Sequence, residues 1–258
     1  IELEPDFCIA HCFRGYLFVT FNSAAVLPAA VASLTKAQAL AGTASEREQR
    51  HVAALRHLLE GAPHRACACW DEITADYPHD ILALRMHHYT CFWSGYRQQL
   101  SALPAAVLPA WDDTVPHYGN LLGMVAFGLE ELGLYDMAER YGRDAADQNP
   151  DDLWAVHAVA HVMEMQQRAA DGIKWLDYSL EHFRDFNPFR GHIWWHKGLF
   201  LIESEWLDAA LSLYDNAIHD TQSEFFLDVQ NSVSFLARLE LKGFDVGDRW
   251  QALADVAA

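Results

Sequence analysis

Five residues in the second half of the chain have types and spacing suited to chemistry. His157 and His161 are four residues apart, and Glu164 follows three residues later. On an α-helix this spacing places all three side chains on one face, because neighbours on a face lie three or four residues apart. His192 and His196 repeat the four-residue spacing. Two imidazoles in this arrangement form a pair that is used to bind zinc.

These five residues suit three different roles. As metal ligands, the four histidines and Glu164 could surround zinc or another divalent cation. Without a metal, paired imidazoles titrate near neutral pH and suit general acid–base catalysis, with Glu164 orienting one ring. The third role is structural packing, because a chain with 14 histidines is expected to contain some four-residue pairs by chance. No serine or cysteine motif indicates a nucleophile.

The elements that must position these residues are helices in a repeat. Strand patterns are scarce, whereas helical periodicity runs along the chain and is broken at Gly and Pro. Small residues recur in register, as expected where two packed helices cross closely. The register predicts antiparallel helix pairs over residues 8–41, 47–80, 81–114, 119–152, 153–186 and 191–220, with a last pair from about 226.

The crossing positions define the fold class. Ala126, Ala138, Gly198 and Ala210 take the small-residue positions and are expected to be buried. We therefore predict an all-α fold, a right-handed superhelical solenoid of tetratricopeptide-type helix-turn-helix repeats. Residues 1–258 are expected to form a single array that continues beyond both ends, with residues 1–5 as the tail of a helix and residues 250–258 as a helix without a polar cap.

In such a solenoid, the first helix of each pair lines the concave groove. In the unit from residue 153, the groove-facing positions hold Trp154, two of the histidines and the glutamate. In the unit from residue 81, they include Arg85 and Tyr89. The predicted binding residues are therefore His157, His161, Glu164, His192, His196, Trp154, Arg85 and Tyr89.

Composition limits the partners. The formal net charge is −18, which disfavours nucleic acid and anionic membrane surfaces. No apolar stretch is long enough to span a bilayer. The five cysteines include no C-x-x-C pair, which favours a reducing, cytoplasmic location over a disulfide framework. Cys67 and Cys69 are two residues apart and point to different helix faces, so we interpret them as packing residues.

Several segments resemble one known family. They are HAVAHVMEM over residues 157–165, HIWWH over 192–196, AALSLYD over 209–215 and RLELKGFDVGDRW over 238–250. These segments are similar to the tetratricopeptide repeat protein 38 family, and the resemblance extends over nearly the whole chain. It implies a helical-repeat protein and draws attention to the histidines, but it implies no particular activity.

Two functions of different classes follow from the sequence. The first is a binding module that holds a small molecule or a peptide segment of a partner in a concave, histidine-rich groove. The alternative is an enzyme of the hydrolase or lyase type, in which the His/Glu cluster is an acid–base or metal site. A pocket at which the histidines converge would favour an enzyme or a small-ligand receptor, and an open groove would favour contact with a protein.

Overall fold

A computed structural model describes residues 1–180, 187, 189–219 and 226–257 of the chain. Within these residues the regular structure is helical, with fourteen α-helices and no strand. The chain divides into two compact units, residues 1–132 and 133–258, and each is described by itself. The predicted all-α class is confirmed.

The first unit consists of helices joined by short connections. They are α1 (Cys8–Thr20), α2 (Leu27–Leu40), α3 (Glu46–Leu59), α4 (Pro63–Asp76), α5 (Ile81–Ser94), α6 (Arg97–Val107) and α7 (Tyr118–Glu131). Each helix packs against the next along the chain, and α1 also contacts α3 while α5 contacts α7. Contacts between alternate helices are the mark of a helical repeat.

The second unit follows the same plan. Its helices are α8 (Tyr135–Gln148), α9 (Leu153–Met165), α10 (Ala169–Leu180), α11 (Arg190–Glu203), α12 (Leu207–Leu213), α13 (Phe226–Leu241) and α14 (Arg249–Ala257). A π-helical turn over Tyr214–Ile218 extends α12. The alternate helices α9, α11 and α13 contact one another in order, α9 with α11 and α11 with α13. These three helices carry the candidate site.

Side-chain caps explain where two of these helices begin. Asp152 accepts a hydrogen bond from the Trp154 backbone at 3.1 Å at the start of α9, and Asp80 accepts one from the Ala83 backbone at 3.0 Å at the start of α5. Such caps satisfy amide groups that the first helical turn leaves without partners. Gly95 ends α5 with a φ of 72°, a left-handed conformation that glycine adopts without strain.

The repeat register is confirmed in the described residues. The first helices of the predicted pairs begin at residues 8, 46, 81, 118, 153 and 190, each within one residue of its predicted start. The four small residues at helix crossings are buried as predicted, namely Ala126, Ala138, Gly198 and Ala210. The ends of the pairs predicted over 153–186 and 191–220 lie outside the described residues.

One boundary prediction is wrong. Residues 1–5 are not the tail of a helix, because the first helix begins at Cys8 and the preceding residues form a turn in which the Phe7 amide donates to the Glu4 carbonyl at 3.2 Å. Pro5 has no amide hydrogen and therefore favours a turn over a continuing helix here. No helix in the described part of the chain combines the length and the apolar character that crossing a membrane requires.

Candidate functional site

Four histidines of the second unit meet between α9 and α11. His157 and His161 are one turn apart on α9, and His192 and His196 are one turn apart on α11. The two helices pack directly, and ring nitrogens of all four residues lie within 4.8 Å of one another. The structure therefore brings together the four imidazoles selected by their spacing. We call them the histidine cluster.

The Nε2 atom of His192 meets the Nε2 atoms of two other rings. His192 Nε2 lies 3.1 Å from His157 Nε2 and 3.2 Å from His196 Nε2. In a tetrahedral zinc site with Zn–N bonds of about 2.0–2.1 Å, two nitrogen ligands are about 3.3 Å apart. The separations in the cluster therefore match those of imidazoles that share one metal ion.

The opposite nitrogens of two rings are held by polar side chains. His196 Nδ1 donates to Glu164 Oε2 at 2.9 Å, and His192 Nδ1 donates to Asn231 Oδ1 on α13 at 3.1 Å. A neutral imidazole with its hydrogen on Nδ1 presents a lone pair at Nε2. Two such lone pairs 3.2 Å apart repel each other unless a cation lies between them. Metal-binding histidines almost always have a partner of this kind on the other nitrogen.

Glu164 takes a different position from the one proposed for a metal ligand. Its hydrogen bond lies on the Nδ1 side of His196, on the far side of the ring from Nε2. The carboxylate is partly exposed, with 39% of the side chain accessible, whereas the His196 side chain is 2% accessible. This geometry suits Glu164 for orienting His196 and for keeping its hydrogen on Nδ1.

Burial controls the charge of the cluster. Burial, reinforced by the neighbouring imidazoles, lowers the pKa of His157 and of His196 well below the usual value for histidine. Burial also lowers the pKa of His192 to about 4. These rings are therefore neutral at physiological pH, which is the form that binds metals. His161 and His192 are half-buried, so the cluster is reached from their side.

Aromatic rings surround the cluster. Trp195 stacks on His192 with ring centroids 5.2 Å apart, and Phe189 meets His157 edge-on at 5.1 Å. Trp154, which was predicted as a binding residue, lies 5.4 Å from the His157 ring. An apolar wall of this kind limits the access of water and strengthens electrostatic interactions within the site.

A cavity of about 430 Å³ in the second unit is lined in part by Glu164, the hydrogen-bond partner of His196. This volume is within the range of small-ligand pockets. Its lining includes Met163, Glu164, Phe200, Glu203, Arg238 and Lys242. Glu164 therefore faces a space large enough for a small ligand and also contacts the His196 ring.

The other two predicted binding residues lie on α5 in the first unit. Arg85 is exposed. Tyr89 is half-buried, and its hydroxyl donates to the Thr20 carbonyl at 2.9 Å. This bond gives Tyr89 a packing role within its own unit. A ligand contact by Arg85 or Tyr89 stays a prediction.

Several residues of the site were not identified from the sequence. Asn231, Trp195 and Phe189 contact the histidines but were not among the predicted binding residues. The repeat register was the available signal for Asn231, because this residue lies on the first helix of the last predicted pair, and such helices were expected to line the groove. Trp195 falls within the HIWWH segment of the family resemblance, which gave it no role, and Phe189 had no distinguishing signal.

Comparisons with known proteins identify the fold. No protein-family model matches the chain. A thermophilic TPR protein from Thermus thermophilus superposes with a TM-score of 0.56 at 16% identity, covering 75% of this chain and 99% of its own. Pseudomonas aeruginosa pilF superposes with a TM-score of 0.56 at 12% identity, covering 89% of this chain and 96% of its own. A tetratricopeptide repeat protein from Parabacteroides merdae superposes with a TM-score of 0.54 at 12% identity, covering 97% of this chain and 99% of its own.

These similarities define a class of protein. The chain has the helical-repeat fold of tetratricopeptide proteins, as the sequence register predicted. Identities this low carry information about the fold alone. The finer resemblance to the tetratricopeptide repeat protein 38 family stays a prediction.

Proposed function

We propose that this is a tetratricopeptide-type binding protein whose second unit holds a divalent transition metal, in the first instance zinc, through His157, His192 and His196. The metal in turn binds a donor group of a small molecule or of a peptide segment in the groove. One observation carries this proposal. The Nε2 atom of His192 lies 3.1–3.2 Å from those of the other two rings, while Glu164 and Asn231 hold the Nδ1 atoms of two of the three.

A metal accounts for this arrangement better than acid–base chemistry alone. The His192 and His196 rings are neutral and carry their hydrogens on Nδ1, so their converging Nε2 atoms have no proton to share at physiological pH. A general acid or base works best with a pKa near the operating pH, whereas the pKa of His192 is about 4. Imidazole ligands suit zinc, copper, iron and nickel.

The number of protein groups on the metal determines whether a further molecule can bind to it. Three protein ligands leave one position of a tetrahedral ion open to water or to a ligand. His161 and His192 are half-buried, so this side of the site is accessible. Helical-repeat proteins present extended concave surfaces to their partners, which supports a peptide or a small molecule as the ligand. The net charge of −18 opposes nucleic acid as a partner, and five free cysteines support a cytoplasmic location.

Metal analysis of the purified chain tests the proposal. We expect one equivalent of bound metal per chain to be lost in His196→Ala and retained in His57→Ala. His57 is a suitable control because it lies on α3 in the first unit, where its ring bonds to Glu60 just after the helix ends. Azide added to the Co²⁺-substituted protein should shift the visible bands, because it occupies the open position. Equal metal content in wild type and His196→Ala would contradict the proposal.

An enzyme of the hydrolase or lyase type is the second candidate. The cavity that shares Glu164 with the cluster favours it, because a substrate there would lie close to the histidines. A zinc-bound water with a pKa of about 7 would supply the nucleophile for hydrolysis. A panel of activated carboxylic and phosphate esters distinguishes the candidates. Turnover that is lost in His157→Ala supports an enzyme, whereas metal binding and azide binding without turnover support the binding function.

A further inference from the structure

A second group of metal-binding side chains lies in the first unit, between α4 and α5. Cys67 and Asp71 are one turn apart on α4, and His87 and Cys91 are one turn apart on α5. Cys67, His87 and Cys91 are buried, and their donor atoms lie within 4.8 Å of one another. His87 Nε2 also lies 3.4 Å from Asp71 Oδ1. Two four-residue pairs on packed helices thus face each other.

Three of the separations between donor atoms match those expected around zinc. With Zn–S bonds of about 2.3 Å, two thiolates of one site lie about 3.8 Å apart, and the Cys67 and Cys91 sulfurs are 3.7 Å apart. The corresponding sulfur–nitrogen edge is about 3.6 Å, and Cys91 Sγ lies 3.7 Å from both ring nitrogens of His87. A nitrogen–oxygen edge of about 3.4 Å matches the 3.4 Å from His87 Nε2 to Asp71 Oδ1.

We propose that Cys67, Cys91, His87 and Asp71 form a structural zinc site in the first unit. The thiolates bind through sulfur and His87 binds through Nε2 from their present positions. The exposed Asp71 side chain lies beside His87 but outside the group within 4.8 Å, and it rotates to bind through one carboxylate oxygen. Four protein ligands close the coordination sphere, as in structural sites, and soft sulfur ligands select zinc over magnesium or calcium. Binding releases the two thiol protons to solvent, because the thiolate is the form that coordinates.

The position of the site indicates its purpose. The helix α4 ends one predicted pair and α5 begins the next, so an ion between them links two successive repeats. Because such a site does not exist in the unfolded chain, the free energy of binding stabilises the fold. Asp71 is 54% exposed while the other three residues are buried, so the carboxylate gives the ion a path of entry.

A disulfide is the main competing explanation for two close cysteines. The Cys67 and Cys91 sulfurs are 3.7 Å apart and both thiols are free, whereas a disulfide bond is about 2.05 Å long. A disulfide would also leave the approach of His87 and Asp71 unexplained. The donor set as a whole therefore favours a metal.

Cobalt substitution tests this site separately from the histidine cluster. The reduced full-length chain is stripped with a chelator and titrated with Co²⁺. We expect a thiolate-to-cobalt charge-transfer band in the near ultraviolet, which nitrogen and oxygen ligands do not produce. The band should disappear in Cys91→Ser, persist in the matched control Cys69→Ser, and persist in His196→Ala, which affects the histidine cluster.

Two further measurements test the site without relying on the folding of Cys91→Ser. Asp71→Ala removes a partly exposed ligand and leaves the core unchanged, and it should weaken Co²⁺ binding at the thiolate band by at least about tenfold. Zn²⁺ should slow the alkylation of Cys67 and Cys91 relative to Cys69 in the same molecule. Absence of the thiolate band in the reduced wild type would overturn the proposal, as would equal alkylation with and without Zn²⁺. A mass lower by two hydrogens before reduction would indicate a disulfide instead.

Discussion

The carboxylate of Glu164 accepts a hydrogen bond from the imidazole of His196 across two helices, with 2.9 Å between Oε2 and Nδ1. Glu164 lies at the end of α9 and His196 lies in the middle of α11, so the bond joins two alternate helices of the repeat. It fixes the ring so that Nε2 faces His192. The same carboxylate lines the cavity, so a ligand there would contact a group that sets the basicity of the site.

Loss of this carboxylate should weaken metal binding without removing it. We expect Glu164→Ala to lower zinc affinity by about 10–100-fold, because His196 loses the partner that orients it and raises its basicity. Glu164→Gln should recover part of the loss, since its carbonyl oxygen can still accept the bond. Calorimetric titration with Zn²⁺ measures both. Glu203→Ala is the control, because Glu203 is an exposed carboxylate on the same cavity. A similar loss in this control would argue against a specific role for Glu164.

The repeat period allowed most of the fold to be predicted. Small residues at helix crossings recur because a larger side chain would separate the helices, and this steric requirement is visible in the sequence. It located Gly198 and Ala210, and the helix starts followed within one residue. The four-residue spacing of the histidines likewise reflects a local helical constraint, so their common face could be predicted.

Contacts between helices were harder to predict. The Asn231 contact with His192 depends on the packing of α13 against α11, and no local pattern records it. Cys67 was interpreted as a packing residue after comparison with Cys69 alone. Its partner Cys91 is 24 residues away, and the local signals were two four-residue pairs, Cys67 with Asp71 and His87 with Cys91.

The stability of the first unit should decrease in acid through Asp80. Burial alone would raise the pKa of this carboxyl, but hydrogen bonds from His51 Nε2 at 3.0 Å and from Arg47 Nε hold its pKa well below the usual range. In the unfolded chain the pKa is about 3.9. The contribution of Asp80 is therefore fully present above that pH and is lost as the pH falls towards the folded-state pKa. Urea unfolding between neutral pH and about pH 2 should show this decrease.

The variant Asp80→Asn should reduce the loss of stability in the acid part of the pH profile (the acid limb), because it removes the titrating group. At neutral pH it should cost about 2 kcal/mol, less than a fully buried pair because Arg47 is 36% exposed. The control is Asp76→Asn, whose carboxylate is 58% exposed and pairs with Arg50. Exposed pairs contribute about 0–1 kcal/mol, so this variant should keep the acid limb. An unchanged acid limb in Asp80→Asn would refute the assignment.

The crossing of α11 with its neighbours should tolerate no added methyl group. A Cβ at Gly198 would collide with the Phe235 ring, which is fully buried. We expect Gly198→Ala to destabilise the protein by about 1–3 kcal/mol through overpacking. Gly42→Ala is the matched control, because a Cβ there meets no atom within 4 Å. Thermal unfolding of both variants measures the difference, and equal melting temperatures would contradict the packing described at Gly198.

His161 should be needed for ligand binding more than for metal binding. Its ring centroid lies 4.1 Å from that of His157 and 4.7 Å from that of His196. It is also half-buried and borders the accessible side of the cluster. We therefore expect His161→Ala to keep its zinc with an affinity within about tenfold of wild type. In the Co²⁺ form of this variant, the spectral response to azide should be weakened, because His161 borders the open position. His196→Ala provides the comparison, since it removes a ligand and should lose the metal. If His161→Ala loses zinc as completely as His196→Ala, all four imidazoles are ligands and no position remains open for a substrate or partner.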